Sequence, residues 1–271
     1  MGFVEDLILR HPCRGMDILR PYLAENFCAA AAEKILTWPR GTVLLTTGFY
    51  VAGHAETDGP PGTLLLAQAL ASLGFRPVVV TDELCRGYFE AAGIACAYLA
   101  NDADEEACGA LLAELAPVGM ISVERCGKNA QGEYANMRGI SISEFTAPVD
   151  RLFAMAAVPT VAVGDGGNEI GMGNLVEVIS AKLALEPCVV KVDDLVIATV
   201  SNWGALGLCA CLGQLPDEQR MMDAYRLAQE LGFVDGVTRE CVLSEDGFSL
   251  ETIRQLRKEM EYMSAEVSAS C

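Results

Sequence analysis

Six short apolar runs recur along the chain, and their spacing constrains the fold more than any other feature. They are TVLLTT (Thr42–Thr47), PVVVTD (Pro77–Asp82), IACAYL (Ile94–Leu99), VGMISVE (Val118–Glu124), PTVAVGD (Pro159–Asp165) and DLVIATVSN (Asp194–Asn202). Such runs read as strands buried on both faces. Segments with helical spacing separate them at Thr63–Leu73, Glu83–Ala92, Asp104–Leu115 and Ser143–Ala156. Alternating strands and helices imply right-handed crossovers. The expected fold class is therefore α/β: a doubly wound, mainly parallel sheet of about six or more strands, with helices on both faces.

Further helices are expected within Pro12–Thr37, at Asp217–Leu231 and at Ser249–Met263. No Pro/Ser-rich linker, repeat or low-complexity tract divides the chain, and 271 residues at 52% hydrophobic content can bury a sizeable core. We read one domain, 1–271, with an N-terminal helical segment 12–37 and a C-terminal helical tail 246–271.

Charge narrows the ligands. With 37 Asp and Glu against 19 Lys and Arg, the net charge of −18 disfavours nucleic acid and anionic membrane surfaces as partners. It favours small molecules or cations. The first ten residues, MGFVEDLILR, place acids where a secretory signal carries positive charge, and no apolar run approaches the roughly 18 residues of a membrane span. A cytoplasmic protein is expected. The 11 cysteines are scattered without a CxxC, which reads as reduced core residues. The Ala-rich segment Phe27–Leu36 leaves a homo-oligomer open.

In a parallel sheet every strand's carboxyl end faces the same edge, where ligands bind. Four polar loops leave that edge. The first, Thr46–Thr63, carries His54, Glu56, Thr57, Asp58 and Gly59, with Asp58 a candidate cap for a helix starting at Pro60 or Pro61. The second, Val123–Gly139, carries Glu124, Arg125, Lys128 and Arg138 and is long enough for a lid or binding loop. The third contains Asp165, Gly166, Gly167, Asn168 and Glu169, where glycine permits close approach of a ligand. The fourth presents Ser201 and Asn202, with Trp203 as a wall. Four such loops on one edge make a binding site the expected reading.

Several chemistries fail on spacing. The glycine-rich stretch follows the fifth strand rather than the first, against a dinucleotide fingerprint, and no GxxxxGK[ST] is present, so no nucleotide cofactor is expected. There is no GxSxG. A metal-dependent phosphatase-like hydrolase has a late loop similar to GDGGNE but needs a DxD after an early strand; Asp102 and Asp104 have that spacing only after the third. A non-catalytic metal- or amino-acid-binding protein is the other alternative.

ETDGPPG (Glu56–Gly62), Tyr134–Thr146, GDGGNEIGMGN (Gly164–Asn174) and SNWGALGL (Ser201–Leu208), in that order, resemble the D-glutamate cyclase family. The resemblance implies conversion of D-glutamate to 5-oxo-D-proline and water, a carbon–oxygen lyase reaction. Forming that lactam needs the amine deprotonated and the side-chain carboxyl neutralised. A dianionic substrate would be repelled by Glu56, Asp58, Glu124, Asp165 and Glu169 as bare carboxylates. Either a divalent metal, Mg or Mn by ligand hardness, sits on Asp58, Asp165 and Glu169, which is the favoured reading, or some of these acids carry protons at raised pKa while Lys128, Arg125 or Arg138 and helix amino termini bind the substrate. Glu56, Glu124 or His54 would then take the amine proton. Thr57, Gly59, Lys128, Arg138, Gly166, Gly167, Asn168, Ser201 and Asn202 are the expected substrate contacts.

Overall fold

The computed structural model describes residues 4–269, with side chains to residue 263; the ends of the expected domain 1–271 and tail 246–271 lie outside the described residues. Six strands, β1 (Thr42–Thr46), β2 (Arg76–Thr81), β3 (Ala95–Tyr98), β4 (Gly119–Val123), β5 (Thr160–Gly164) and β6 (Asp194–Ile197), form one sheet. Its order is β3-β2-β1-β4-β5-β6 and every pairing is parallel. The α/β, doubly wound expectation holds. The order is Rossmann-like, and the winding reverses between β1 and β4.

The main helices are α1 (Phe27–Thr37), α2 (Pro60–Ser72), α3 (Glu105–Leu115), α4 (Ser201–Cys211), α5 (Glu218–Glu230) and α6 (Leu250–Ala269). Alternate strand residues serve two cores. Val43, Leu45, Ile121 and Val163 pack with α1, α2 and α4, whereas Leu44, Val80 and Met120 pack with Cys108 of α3 and with Leu152 and Phe153. This double burial explains why the runs are continuously apolar. No described helix is long and apolar enough to cross a membrane.

Three expected elements are corrected. The last strand ends at Ile197, and Ser201 and Asn202 open helix α4 instead of finishing a strand. The expected helix Glu83–Ala92 is two short turns, Glu83–Cys85 and Tyr88–Ala91, interrupted at Gly87 with φ of +87°. The helix Ser143–Ala156 survives only as Ser143–Phe145 and Asp150–Met155, because Pro148 cannot donate within a helix and disfavours helical geometry before it.

Candidate active site

Helices α2 and α4 start side by side at the switch point, and each is capped from the other's first turn. The Asp58 carboxylate accepts the N–H groups of Ser201 (2.8 Å) and Asn202 (2.7 Å). Asn202 Oδ1 accepts those of Gly59 (3.0 Å) and Gly62 (2.7 Å), while its Nδ2 donates to the Thr57 carbonyl (3.0 Å). Asp58 therefore caps α4 rather than its own following helix, since its side chain turns across to the neighbouring amino terminus. A Cβ on Gly62 would lie 2.6 Å from Asn202 Oδ1, so glycine is required for the two helices to meet. Asn202→Ala strands this set of buried partners, and denaturant unfolding should show a loss of about 3 kcal/mol.

Around these helix starts lie buried carboxyl groups from the first three loops and from a further segment at Glu245–Asp246. Asp58, Asp165 and Asp246 each offer an oxygen within 4.8 Å of the others, and Glu124, Asp165 and Glu169 do likewise. Asp165 belongs to both groups, whereas Asp58 and Glu169 belong to different ones. Burial pushes Glu56, Glu124 and Asp165 well above the usual carboxyl range, with neighbouring carboxylates adding to the effect. Burial and Asp246 raise Asp58 to about 7, against the N–H groups it accepts. Glu169 is also raised by burial, opposed by the Gly167 N–H that donates to it at 2.7 Å.

Among the described residues Arg14 is the cation bonded to this cluster, donating to Asp165 (2.5 Å), to Asp246 and to the Thr199 carbonyl (3.3 Å). The cluster opens into a cavity of about 350 Å³, whose wall includes Phe49, Tyr50, Val51, Glu56, Glu124, Arg138, Asp165, Asn168, Glu169 and Arg239. Five of the seven described non-glycine residues with positive φ line it: Arg14, Ala52, Glu124, Arg239 and Asp246. Strained backbone is concentrated where the acids converge, as at functional sites generally. Ser201 Oγ donates to Glu124 at 2.6 Å and so aims a carboxyl that its own backbone holds in an unfavourable conformation.

The expected residues divide accordingly. Glu56, Glu124, Asp165, Asn168, Glu169 and Arg138 reach the cavity wall. Thr57, Asp58, Gly59, Ser201 and Asn202 are buried beneath it as the capping network. Gly166 and Gly167 are buried beside the cavity, where a Cβ on Gly166 would meet Met137 Sδ at 2.6 Å and Glu169 Oε1 at 2.7 Å and one on Gly167 would meet Leu185 at 2.7 Å. His54 is exposed on the hairpin Tyr50–Val51/His54–Ala55, away from the wall, and Lys128 holds its ammonium 5.5 Å from the Tyr134 ring centroid. Arg125 is fully buried, clamping Asp82 (2.6 Å) and the carbonyls of Gly48 (2.9 Å) and Ala147 (2.8 Å). Trp203 is buried, donates to Glu245 (2.7 Å) and does not line this cavity. Asp104 caps α3 through the Ala107 N–H (2.9 Å), which removes the DxD that a phosphatase would need.

Arg14, Glu245, Asp246 and Arg239 escaped the sequence reading because they follow no sheet strand. Among them, Glu245 accepts from Asn202 (2.5 Å), Trp203 (2.7 Å) and Tyr225 (2.6 Å), and is pushed by burial and Asp58 to about 8. Asp-Gly at 246–247, matching the earlier Asp-Gly loops, was the available signal.

Residues 4–261 match the family described as D-glutamate cyclase-like, C-terminal. The chain belongs to this family. A curated D-glutamate cyclase-like relative, the mitochondrial D-glutamate cyclase of Homo sapiens, is 30% identical over 206 residues, which is 63% of this chain and 32% of that protein. The chain thus matches about a third of the relative's length. A solved structure of a mandelate oxidase mutant with an FMN monooxide adduct aligns over 83% of this chain and 94% of its own, at 14% identity and a TM-score of 0.25, too low to bear on the D-glutamate cyclase-like fold.

Proposed function

We propose that this chain cyclises D-glutamate to 5-oxo-D-proline and water, a carbon–oxygen lyase reaction. The observation that carries this reading is the floor of buried, convergent carboxyls in the cavity of a D-glutamate cyclase-like family member. The amine nitrogen attacks the side-chain carboxyl carbon, and one carboxyl oxygen leaves as water. That exchange needs one group to accept the amine proton and another to protonate the departing oxygen.

Acids whose burial favours the protonated form can fill both roles, one ionised and one protonated. Glu124, aimed by Ser201, and Glu56 are the candidates at the wall. Asp58 at about 7 exchanges protons within the cluster behind them. Asn168 Oδ1 is buried with no partner among the described residues and offers an acceptor to the amine. Holding both reacting ends of one molecule in a small cavity supplies much of the advantage.

The donor set also suits a divalent cation. Glu124, Asp165 and Glu169 provide hard oxygens within 4.8 Å of each other, and these would hold Mg or Mn, replacing the expected trio of Asp58, Asp165 and Glu169. Arg14 already bridges Asp165 and Asp246 in the other group. A bound cation would neutralise charge on the side-chain carboxyl of the substrate.

Purified protein should convert D-glutamate to 5-oxoproline in preference to L-glutamate, losing the activity on chelation and regaining it with Mn or Mg. Turnover indifferent to chelation would keep the cyclase and discard the metal. No turnover under any of these conditions would overturn the reading.

A further inference from the structure

Three guanidinium groups line the cavity, and they are not equivalent. Arg14 is committed to Asp165, Asp246 and the Thr199 carbonyl. Arg138 and Arg239 are exposed at the wall, and neither side chain has a hydrogen-bond or ion-pair partner among the described residues. On a chain of net charge −18 they are the lining cations still free to receive an anion.

Both arginines are presented by closed turns. Asn136 Oδ1 accepts the N–H groups of Arg138 (2.9 Å) and Ile140 (3.1 Å). Asp235 Oδ1 accepts those of Val237 (2.9 Å) and Thr238 (2.8 Å), and the Arg239 N–H donates to the Asp235 carbonyl (2.7 Å). The other Asp235 oxygen takes Ser244 Oγ (2.6 Å) and the Gly247 N–H (2.8 Å), tying this turn to the segment that bears Asp246. The turn also rests on the acid floor: a Cβ on Gly236 would fall 1.6 Å from Glu56 Oε1. The backbone that presents each guanidinium is thus set before a ligand binds.

We propose that Arg239, together with Arg138, binds the α-carboxylate of the substrate, the one that takes no part in ring closure. This rests on the cyclase reading above. A planar guanidinium fork matches a carboxylate, and two of them at the mouth leave the amine and side-chain carboxyl facing the inner acids and Arg14. The cavity then selects α-amino acids with a free α-carboxylate and a side-chain carboxyl, and it admits them in one orientation.

Calorimetric titration with D-glutamate and with its α-amide tests this, because the amide differs only at the proposed contact. The wild-type protein should prefer D-glutamate by at least about 10-fold, the scale of a charge-assisted contact. Arg239→Gln should abolish most of that preference by weakening D-glutamate alone, and Arg239→Lys should recover part of it; Arg138→Gln should act in the same direction. Equal weakening of both ligands would reduce Arg239 to a structural role and overturn the proposal, as would an unchanged preference in Arg239→Gln. Discrimination without turnover would sink the cyclase reading and keep the carboxylate site. Turnover by a protein whose arginine variants keep the wild-type preference would do the reverse, and a protein that neither binds nor turns over D-glutamate would sink both.

Discussion

Asp165→Asn should lower 5-oxoproline formation at least about 1000-fold, while circular dichroism and the melting temperature at pH 8 show no loss of structure. The asymmetry follows from where Asp165 sits. Its carboxyl is shared by the two groups of convergent acids, so every arrangement of charge or cation on the floor passes through it. Asparagine keeps the shape and leaves an oxygen to accept from Arg14, which also retains Asp246. What disappears is a buried group held above its ordinary pKa, and removing it relieves repulsion from Glu124, Asp246 and Asp58. A variant retaining a tenth or more of the wild-type rate would take Asp165 out of the reaction; one that fails to fold would show instead that its bond to Arg14 is structural.

The strands were legible because their burial is set by the sheet itself. Every residue of β1, β4 and β5 is buried, and only continuous apolar runs tolerate that. Helix α4 was hidden for a related reason: from Ser201 to Ala210 all its residues are buried, leaving no polar face to reveal a helical period. Its start, Ser201-Asn202, looked like the polar end of a strand. Here the decisive partner, Asp58, is 143 residues away from Ser201, and no local pattern announces it.

The acids of the site were legible as a set but not in their roles. Asp58, Asn202 and Ser201 look like ligand contacts in a row of polar loops, yet Asp58 and Asn202 bond to each other's helix starts and Ser201 Oγ is spent on Glu124. Chain order could not distinguish a cap reaching across the switch point from a cap on the next helix. Arg14 and Asp246 were missed more completely, since their meeting with Asp165 joins the two ends of the chain. The rule that ligands sit beyond strand ends leads to the edge where the cavity lies and to Arg138 on its wall, but not to Arg14 or Arg239.

Raising the pH from 5 to 8 should destabilise the metal-free protein by several kcal/mol, measured as a falling midpoint in denaturant titrations. The sign follows from the direction of the shifts. Below about pH 4 the cluster acids are protonated in both folded and unfolded chains, and they contribute nothing to the difference. As pH rises, the unfolded chain releases those protons first while the folded chain retains them, which favours unfolding until the folded carboxyl itself ionises. For Asp58, raised from 3.8 to about 7, the full penalty is about 4 kcal/mol. Glu56, Glu124 and Asp165, also raised by burial, act in the same direction. The surface pair Arg10–Glu259 acts oppositely, because hydrogen bonds from Arg10 and Gln255 lower Glu259 to about 2; its contribution is lost only as pH falls toward that value, outside the measured window. If the acids bind Mn or Mg, either ion should reverse the trend, since binding favours the deprotonated cluster and stabilises the folded chain more at pH 8 than at pH 5. A flat profile without metal would mean that the floor carboxyls are ordinary in strength, and the proton transfers assigned to them would lose their physical basis.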